Sequence, residues 1–222
     1  MLPLHQSPNR PHHRHRGVRA AWEHVFVFEI AGSDYAYLLG MYLGDGSLGG
    51  PGGCSQLKVT LDARYPGIVV ECAEAMERVS PNRTSIRKQD HGACWQVYSG
   101  WRLWPVLFPQ HGRGRKHARP IVLCDWQWDI VRRHRPAFVR GLVHSDGCRT
   151  VNRFSTRLPS GRVAEYSYVR YFFSNHSPDI RGLFCTVCDE LGIRWTQSND
   201  RNISVSHRDS VAILERIVGP KR

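Results

Sequence analysis

Two stretches of the chain are apolar at helical spacing, carry small residues four positions apart, and stop on Asp-Gly. They are "YLLGMYLGDG" (residues 37–46) and "FVRGLVHSDG" (residues 138–147). Gly40 and Gly44 share one helix face, as do Gly141 and Ser145, because positions i and i+4 lie one above the other. Leu39, Tyr42 and Leu43, like Val139, Leu142 and Val143, cover the remaining apolar faces. The pattern predicts helices over 35–44 and 136–145.

The elements that follow each stretch come in the same order. After a glycine-rich turn, "GGPGG", the segment "CSQLKVTLD" alternates Leu57, Val59 and Leu61 with Gln56, Lys58 and Thr60, which predicts a strand. "YPGIVVECAEAMERV" has Pro near its start and apolar residues at helical spacing. "RTSIRKQ" with "CWQVYS" reads as a hairpin and "GWRLWPVLF" as a short helix. In the second half, "CRTVNRFSTR" and "EYSYVRYFFSN" are strands around the turn "LPSG". A helix "SPDIRGLFCTVCDELG", a hairpin "IRWTQS…NISVS" and a last helix "RDSVAILERIV" complete it. Equivalent positions keep similar offsets: 101 for Asp45 and Asp146, 112 for Pro66 and Pro178, 107 for Ser99 and Ser206. The change falls in the first hairpin, where insertions are tolerated. The prediction is an α+β fold made of two pseudo-symmetric αββαββα repeats. Residues 31–108 form the first repeat, 109–135 a basic linker and 136–222 the second repeat. Residues 1–30, rich in His, Arg and Pro, read as a disordered basic arm.

Packing and charge sharpen this picture. Small residues four apart let helix backbones approach closely, so the two stretches are expected to pack on each other about a pseudo-two-fold axis. Gly46 and Gly147 suit the left-handed position that often follows a helix end. Asp45 and Asp146 make poor structural sense there. A carboxylate at a helix C-terminus opposes the macrodipole, and two brought together repel each other. Adding main-chain carbonyls produces an all-oxygen cluster that a hard divalent cation such as Mg²⁺ would resolve.

Composition bounds the partners. Lys and Arg number 31 against 19 Asp and Glu, a net charge of +12, which points to a polyanion and first to nucleic acid. No apolar run approaches the roughly 18 residues of a membrane span. The first residues lack a signal-peptide core, so a cytoplasmic location is expected. Seven cysteines show no disulfide-framework spacing. Cys185-x-x-Cys188 has ligand-like spacing but no second pair, and reads as two buried thiols rather than a zinc site.

"LLGMYLGDG" (38–46) and "VRGLVHSDG" (139–147) resemble the two motifs of the LAGLIDADG homing endonucleases in their single-chain, two-repeat form. The resemblance spans about residues 34 to 217. It implies motif helices at a central interface, saddle-shaped sheets along the DNA major groove, and metal-dependent hydrolysis of both strands. Carried over, Asp45 and Asp146 are the metal-binding catalytic acids, with the carbonyls of Gly44 and Ser145 as supporting ligands. Mg²⁺ is the implied cofactor, with Mn²⁺ as a substitute. Lys116 and Lys221, 105 positions apart, are the candidates for a basic group beside each metal. Leu43 and His144 stand where the family name has its first acidic residue; His144 reads as a buried helix histidine, with a supporting role in the site as the alternative.

The implied partner is double-stranded DNA, bound by a monomer. Strand faces supply the reading residues: Gln56, Lys58, Thr60, Arg83 and Arg87 in the first repeat, Arg149, Arg153, Arg170, Arg194 and Asn202 in the second. A shorter first hairpin would read fewer bases. Two other readings use the same scaffold: a DNA-binding or transcriptional regulatory protein without cleavage, and an RNA maturase.

Overall fold

In the computed structural model, which describes residues 31–50, 55–89 and 93–219, the first apolar stretch forms helix α1 (Gly32–Asp45). It passes without a loop into strand β1 (Gly46–Leu48). Strand β2 (Gln56–Asp62), helix α2 (Pro66–Val79), strands β3 (Ser85–Lys88) and β4 (Cys94–Gly100), and the single turn α3 (Trp104–Leu107) complete the first unit. A 3₁₀ turn (Lys116–Ala118) and helix α4 (Asp125–Arg133) follow. The second unit is helix α5 (Arg135–Asp146), strands β5 (Gly147–Arg157) and β6 (Val163–Ser174), and helix α6 (Pro178–Glu190). Strands β7 (Thr196–Gln197) and β8 (Asn202–Val205) and helix α7 (Arg208–Val218) end it.

The strand orders show the duplication. One antiparallel sheet runs β1-β2-β4-β3 and the other β5-β6-β8-β7, the same order in each half. In the first sheet Leu57, Val59, Leu61 and Val97 are buried, so alternation puts Gln56, Lys58, Thr60 and Gln96 on the opposite face. In the second, Tyr171, Phe173, Ile203 and Val205 point to the core. The arms differ in length: β1 has 3 residues and β2 has 7, against 11 and 12 for β5 and β6.

Helix α1 is buried from Tyr35 to Leu43, as its all-round apolar sequence requires. Its glycines decide how it meets α5. A Cβ on Gly40 would lie 2.5 Å from the Phe138 carbonyl oxygen and 2.7 Å from the Leu142 nitrogen. One on Gly141 would strike the Tyr37 carbonyl oxygen and lie 3.1 Å from the Gly40 Cα. One on Gly44 would sit 2.5 Å from the Ser145 Cβ. The two motif helices therefore pack backbone to backbone along their length.

The expected left-handed glycines are absent. Gly46 has φ −84° and ψ 156°, Gly147 φ −96° and ψ 153°, both extended. Each helix runs directly into a strand, so no left-handed cap forms. Glycine is needed there for space: a Cβ on Gly147 would lie 2.5 Å from the Val143 carbonyl oxygen, and one on Gly46 2.9 Å from that of Tyr42.

The segment read as a linker is folded. Gln110, Ile121, Leu123, Gln127 and Val131 are buried. Gln127 Nε2 donates to the Tyr35 hydroxyl (2.7 Å) and the Leu107 carbonyl (3.2 Å), and its Oε1 accepts from Gln110 (2.5 Å) and the Cys124 amide (3.0 Å). Charged residues hide this in the sequence, because two buried glutamines rather than an apolar stripe anchor the segment. A second tie crosses the repeats. Arg140 binds Glu71 of α2 through both carboxylate oxygens (2.6 and 2.7 Å) and donates to the Ile217 and Val218 carbonyls at the end of α7. A cation at that C-terminus also suits the helix dipole.

Cys185 and Cys188 are free thiols in the core of α6, whose burial pushes the Cys185 thiol up to about 11 and the Cys188 thiol up as well. Among the described residues, no helix is long and apolar enough to cross a membrane. The expected arm, residues 1–30, lies outside the described residues.

Candidate active site and nucleic-acid face

Both motif acids stand where α1 and α5 give way to strands, next to the end of the other helix. A Cβ on Gly44 would come 2.9 Å from Asp146 Oδ2, so the second repeat's acid sits against the first repeat's glycine. The acids open into different cavities. The first, of about 740 Å³, is lined by Asp45 with Asp62 and Arg64 of its own repeat and Ser145, Gly147 and Arg149 of the other. The second, of about 480 Å³, is lined by Asp146 with Ser174, Asn175 and His176 of its own repeat, and by Gly44, Gly46, Ser47 and Lys116. Each cavity thus pairs one repeat's acid with the other's motif end, as a pseudo-two-fold requires.

Lys116 extends into the second cavity. Its ammonium donates to the Gly44 carbonyl (2.9 Å) and to the Tyr42 carbonyl, and stands 4.9 Å from the centre of the Tyr42 ring. Burial lowers its pKa to about 8 from the usual lysine range, while the charges of Asp146 and Asp45 pull the other way. Asp146 is held by a residue that sequence reasoning missed: Asn175 Nδ2 donates to its Oδ2 at 2.6 Å. The offset of 112 places Ala63 at the equivalent position of the first repeat, so the duplication carried no sign of Asn175. Gly219 lines the first cavity, while Lys221 lies outside the described residues.

His144 is buried and serves the interface between α5 and α7. Its Nε2 is 3.2 Å from the Val218 carbonyl, which can only accept, so that nitrogen carries hydrogen; Nδ1 is 3.0 Å from the Tyr37 hydroxyl.

The donor chemistry fits a hard cation in an open site. Asp45, Asp146 and the main-chain carbonyls of Gly44 and Ser145 offer oxygen only. No group of three or more His, Cys, Asp or Glu able to hold a metal forms among the described residues. Mg²⁺ tolerates such a poor protein shell, because one or two carboxylates suffice when water and substrate phosphates complete it.

The strand registers sort the expected DNA-reading residues. Gln56, Lys58, Thr60 and Arg87 share the face of the first sheet turned away from its helices; Arg87 is opposite Gln96, and Lys58 opposite Tyr98. Exposed Arg83 precedes β3. Arg170 and Asn202 occupy the corresponding face of the second sheet. Arg149 and Arg153 do not, because they alternate with Thr150 and Asn152 and share the parity of the core residue Tyr171. Arg149 is bound there to Glu215 of α7 (2.7 Å). Arg194 lies outside the strands, against His207 and Asp209. The polar pattern of β5 alone could not separate its two faces, since nearly every residue is exposed.

No protein-family model and no curated protein sequence matches the chain. Solved structures do. The LAGLIDADG meganuclease I-AabMI bound to uncleaved DNA is similar at a TM-score of 0.51 and 10% identity, over 82% of each chain. The homing endonuclease I-DmoI in complex with DNA and Ca is similar at 0.53 and 17%, over 86% of this chain and 92% of that one. Its complex with DNA and Mn gives 0.50 and 14%, over 85% and 98%. The N-terminal LAGLIDADG domain of DUF199/WhiA gives 0.53 and 13%, over 94% and 95%. At these identities the likeness concerns the fold, which is the one the two motifs implied: the chain has the two-repeat LAGLIDADG homing-endonuclease fold.

Proposed function

We propose that the chain is a site-specific, metal-dependent endonuclease that hydrolyses both strands of duplex DNA and acts as a monomer. The observation that carries the reading is the exchange between motif ends, Asp45 opening beside Ser145 and Asp146 beside Gly44, in two cavities related by the duplication. One such centre per strand is what double-strand cleavage needs. The net charge of +12 and the polar outer sheet faces support a duplex partner, as do the DNA complexes of I-AabMI and I-DmoI.

In this reading Asp45, Asp146 and the carbonyls of Gly44 and Ser145 hold the cation, Mg²⁺ with Mn²⁺ as a substitute. Bound there, it would polarise the scissile phosphate and lower the pKa of an attacking water. The chain's own groups do the rest. Asn175 fixes the orientation of Asp146 by donating to Oδ2. Lys116, charged below about pH 8, places a positive group where negative charge builds up on the phosphate. Lys221 is proposed for the same task in the other cavity. Gln56, Lys58, Thr60, Arg83, Arg87, Arg170 and Asn202 meet the duplex.

One observation favours binding without cleavage as a second reading: the Lys116 ammonium already donates to the Gly44 carbonyl, one of the oxygens assigned to the cation, and to that of Tyr42. Incubating the full chain with a randomised duplex library and Mg²⁺, then sequencing cut ends, separates the two. A defined set of double-strand breaks supports the endonuclease. Sequence-selective binding with no cut ends supports the second reading.

A further inference from the structure

The second hairpin carries a feature that catalysis does not use. On the outward face of β5 and β6, Phe154 (46% exposed), Tyr166 (45%) and Tyr168 (38%) form an aromatic cluster in solvent. Phe154 and Tyr166 are directly opposite across the strands and stack at 5.1 Å, while Tyr168 meets Phe154 edge-on at 6.1 Å. Asn152 donates to the Tyr168 hydroxyl (2.8 Å), which fixes that ring. The same face continues inward to Arg170, whose guanidinium lies over Phe172. Three exposed rings on a soluble strand pair call for an apolar partner.

The surroundings choose the partner. On the face that carries the rings the hairpin has Arg170 and no acid, since Glu165, the one acid from Gly147 to Ser174, is opposite Ser155 on the other face. A polyanion with apolar groups in a groove fits that combination, and the major groove of DNA admits a two-stranded ribbon. Its apolar groups are the C5 methyls of thymine, since every other base edge there offers donors or acceptors. A platform for unpaired bases needs free ring faces, yet Phe154 and Tyr166 already stack on each other.

We propose that Phe154, Tyr166 and Tyr168 form an apolar reader of thymine methyl groups in the outer part of the half-site under the second repeat. The proposal rests on the duplex-binding reading above and not on cleavage. Phe154 is eight residues beyond Asp146 along β5. At strand rise this is about 26 Å, or about seven to eight base pairs from the site centre. Among the described residues the first repeat has no equivalent, because β1 ends at Leu48. Specificity is therefore asymmetric, with the methyl-reading positions in one half-site only.

The test reads binding, so it is independent of whether the protein cuts. Duplexes bound by the full chain in Ca²⁺ are selected from a randomised library, with the wild type and with Phe154→Ser. Thymine should be enriched at outer positions of one half-site for the wild type and not for the variant. Replacing those thymines by deoxyuridine, which removes only the methyl, should weaken wild-type binding about fourfold per contacted base and leave the variant unaffected. Equal wild-type affinity for thymine and deoxyuridine, or enrichment that survives Phe154→Ser, overturns the proposal while duplex binding stands. Tighter binding of single-stranded DNA or RNA than of duplex, or a self-associated species that Phe154→Ser abolishes, also overturns it. Failure to bind any duplex would remove the duplex reading as well.

Discussion

Gly40 and Gly141 face each other across the motif helices so closely that a Cβ on Gly141 would come 3.1 Å from the Gly40 Cα, and one on Gly40 2.5 Å from the Phe138 carbonyl. The neighbours are backbone atoms of a buried helix pair and cannot swing away. This contact sets the separation of the helices, and with it the meeting of each acid with the other motif end.

Gly40→Ala should therefore destabilise the fold by about 3 kcal/mol, the upper part of the range for overpacked cores. That outweighs the roughly 1 kcal/mol Ala gains over Gly in a helix. Gly182 in α6 provides the contrast, because a Cβ there meets nothing within 4 Å. Gly182→Ala should stabilise by about 0.5–1 kcal/mol. Urea unfolding of both variants measures the difference, and equal effects would contradict the packing account.

Lys116 gives a pH signature. Burial lowers its pKa in the folded chain to about 8, below the unfolded lysine value of 10.5. Between those values the unfolded state binds the extra proton, so this group's contribution makes stability rise with pH there. Below about pH 8 the cost of holding the charge is fully present. Lys116→Met should thus raise the melting temperature at pH 7, with the advantage fading as pH approaches 10.5. An advantage that grows over this range would show that the lysine is not buried at a cost.

Salt dependence separates the faces of the strands. Lys58 and Arg87 are on the outer face, whereas Arg149 is paired with Glu215 on the helix side. Lys58→Ala and Arg87→Ala should each flatten the slope of log affinity for duplex DNA against log salt by about one, whereas Arg149→Ala leaves it unchanged. Titrations between 50 and 200 mM salt, roughly the range where counterion release dominates, decide this. An Arg149→Ala slope that falls like the others would put that arginine on the DNA.

The duplication, the strand alternation of β2 and the close approach at Gly40 and Gly141 were legible in the sequence, because each is a local pattern written twice. What escaped the reading depends on partners far along the chain. Gln127 looks like a surface residue of a basic linker until it meets Tyr35, 92 positions away. Asn175 gains its role only beside Asp146. After both acids the sequence shows that glycine is required but not why: contact with the preceding helical turn, not a left-handed φ, excludes a side chain. Arg149 and Arg153 needed the register, which a strand with no buried residue does not reveal.

The central claim is that Asp45 and Asp146 each hold the cation for one strand. Its most direct test is cleavage of a selected duplex in Mg²⁺ by the wild type, Asp45→Asn and Asp146→Asn, with affinity measured alongside. Each substitution should abolish double-strand cutting and keep affinity within about tenfold, or about 1.4 kcal/mol. Undiminished cutting by either variant would contradict the account.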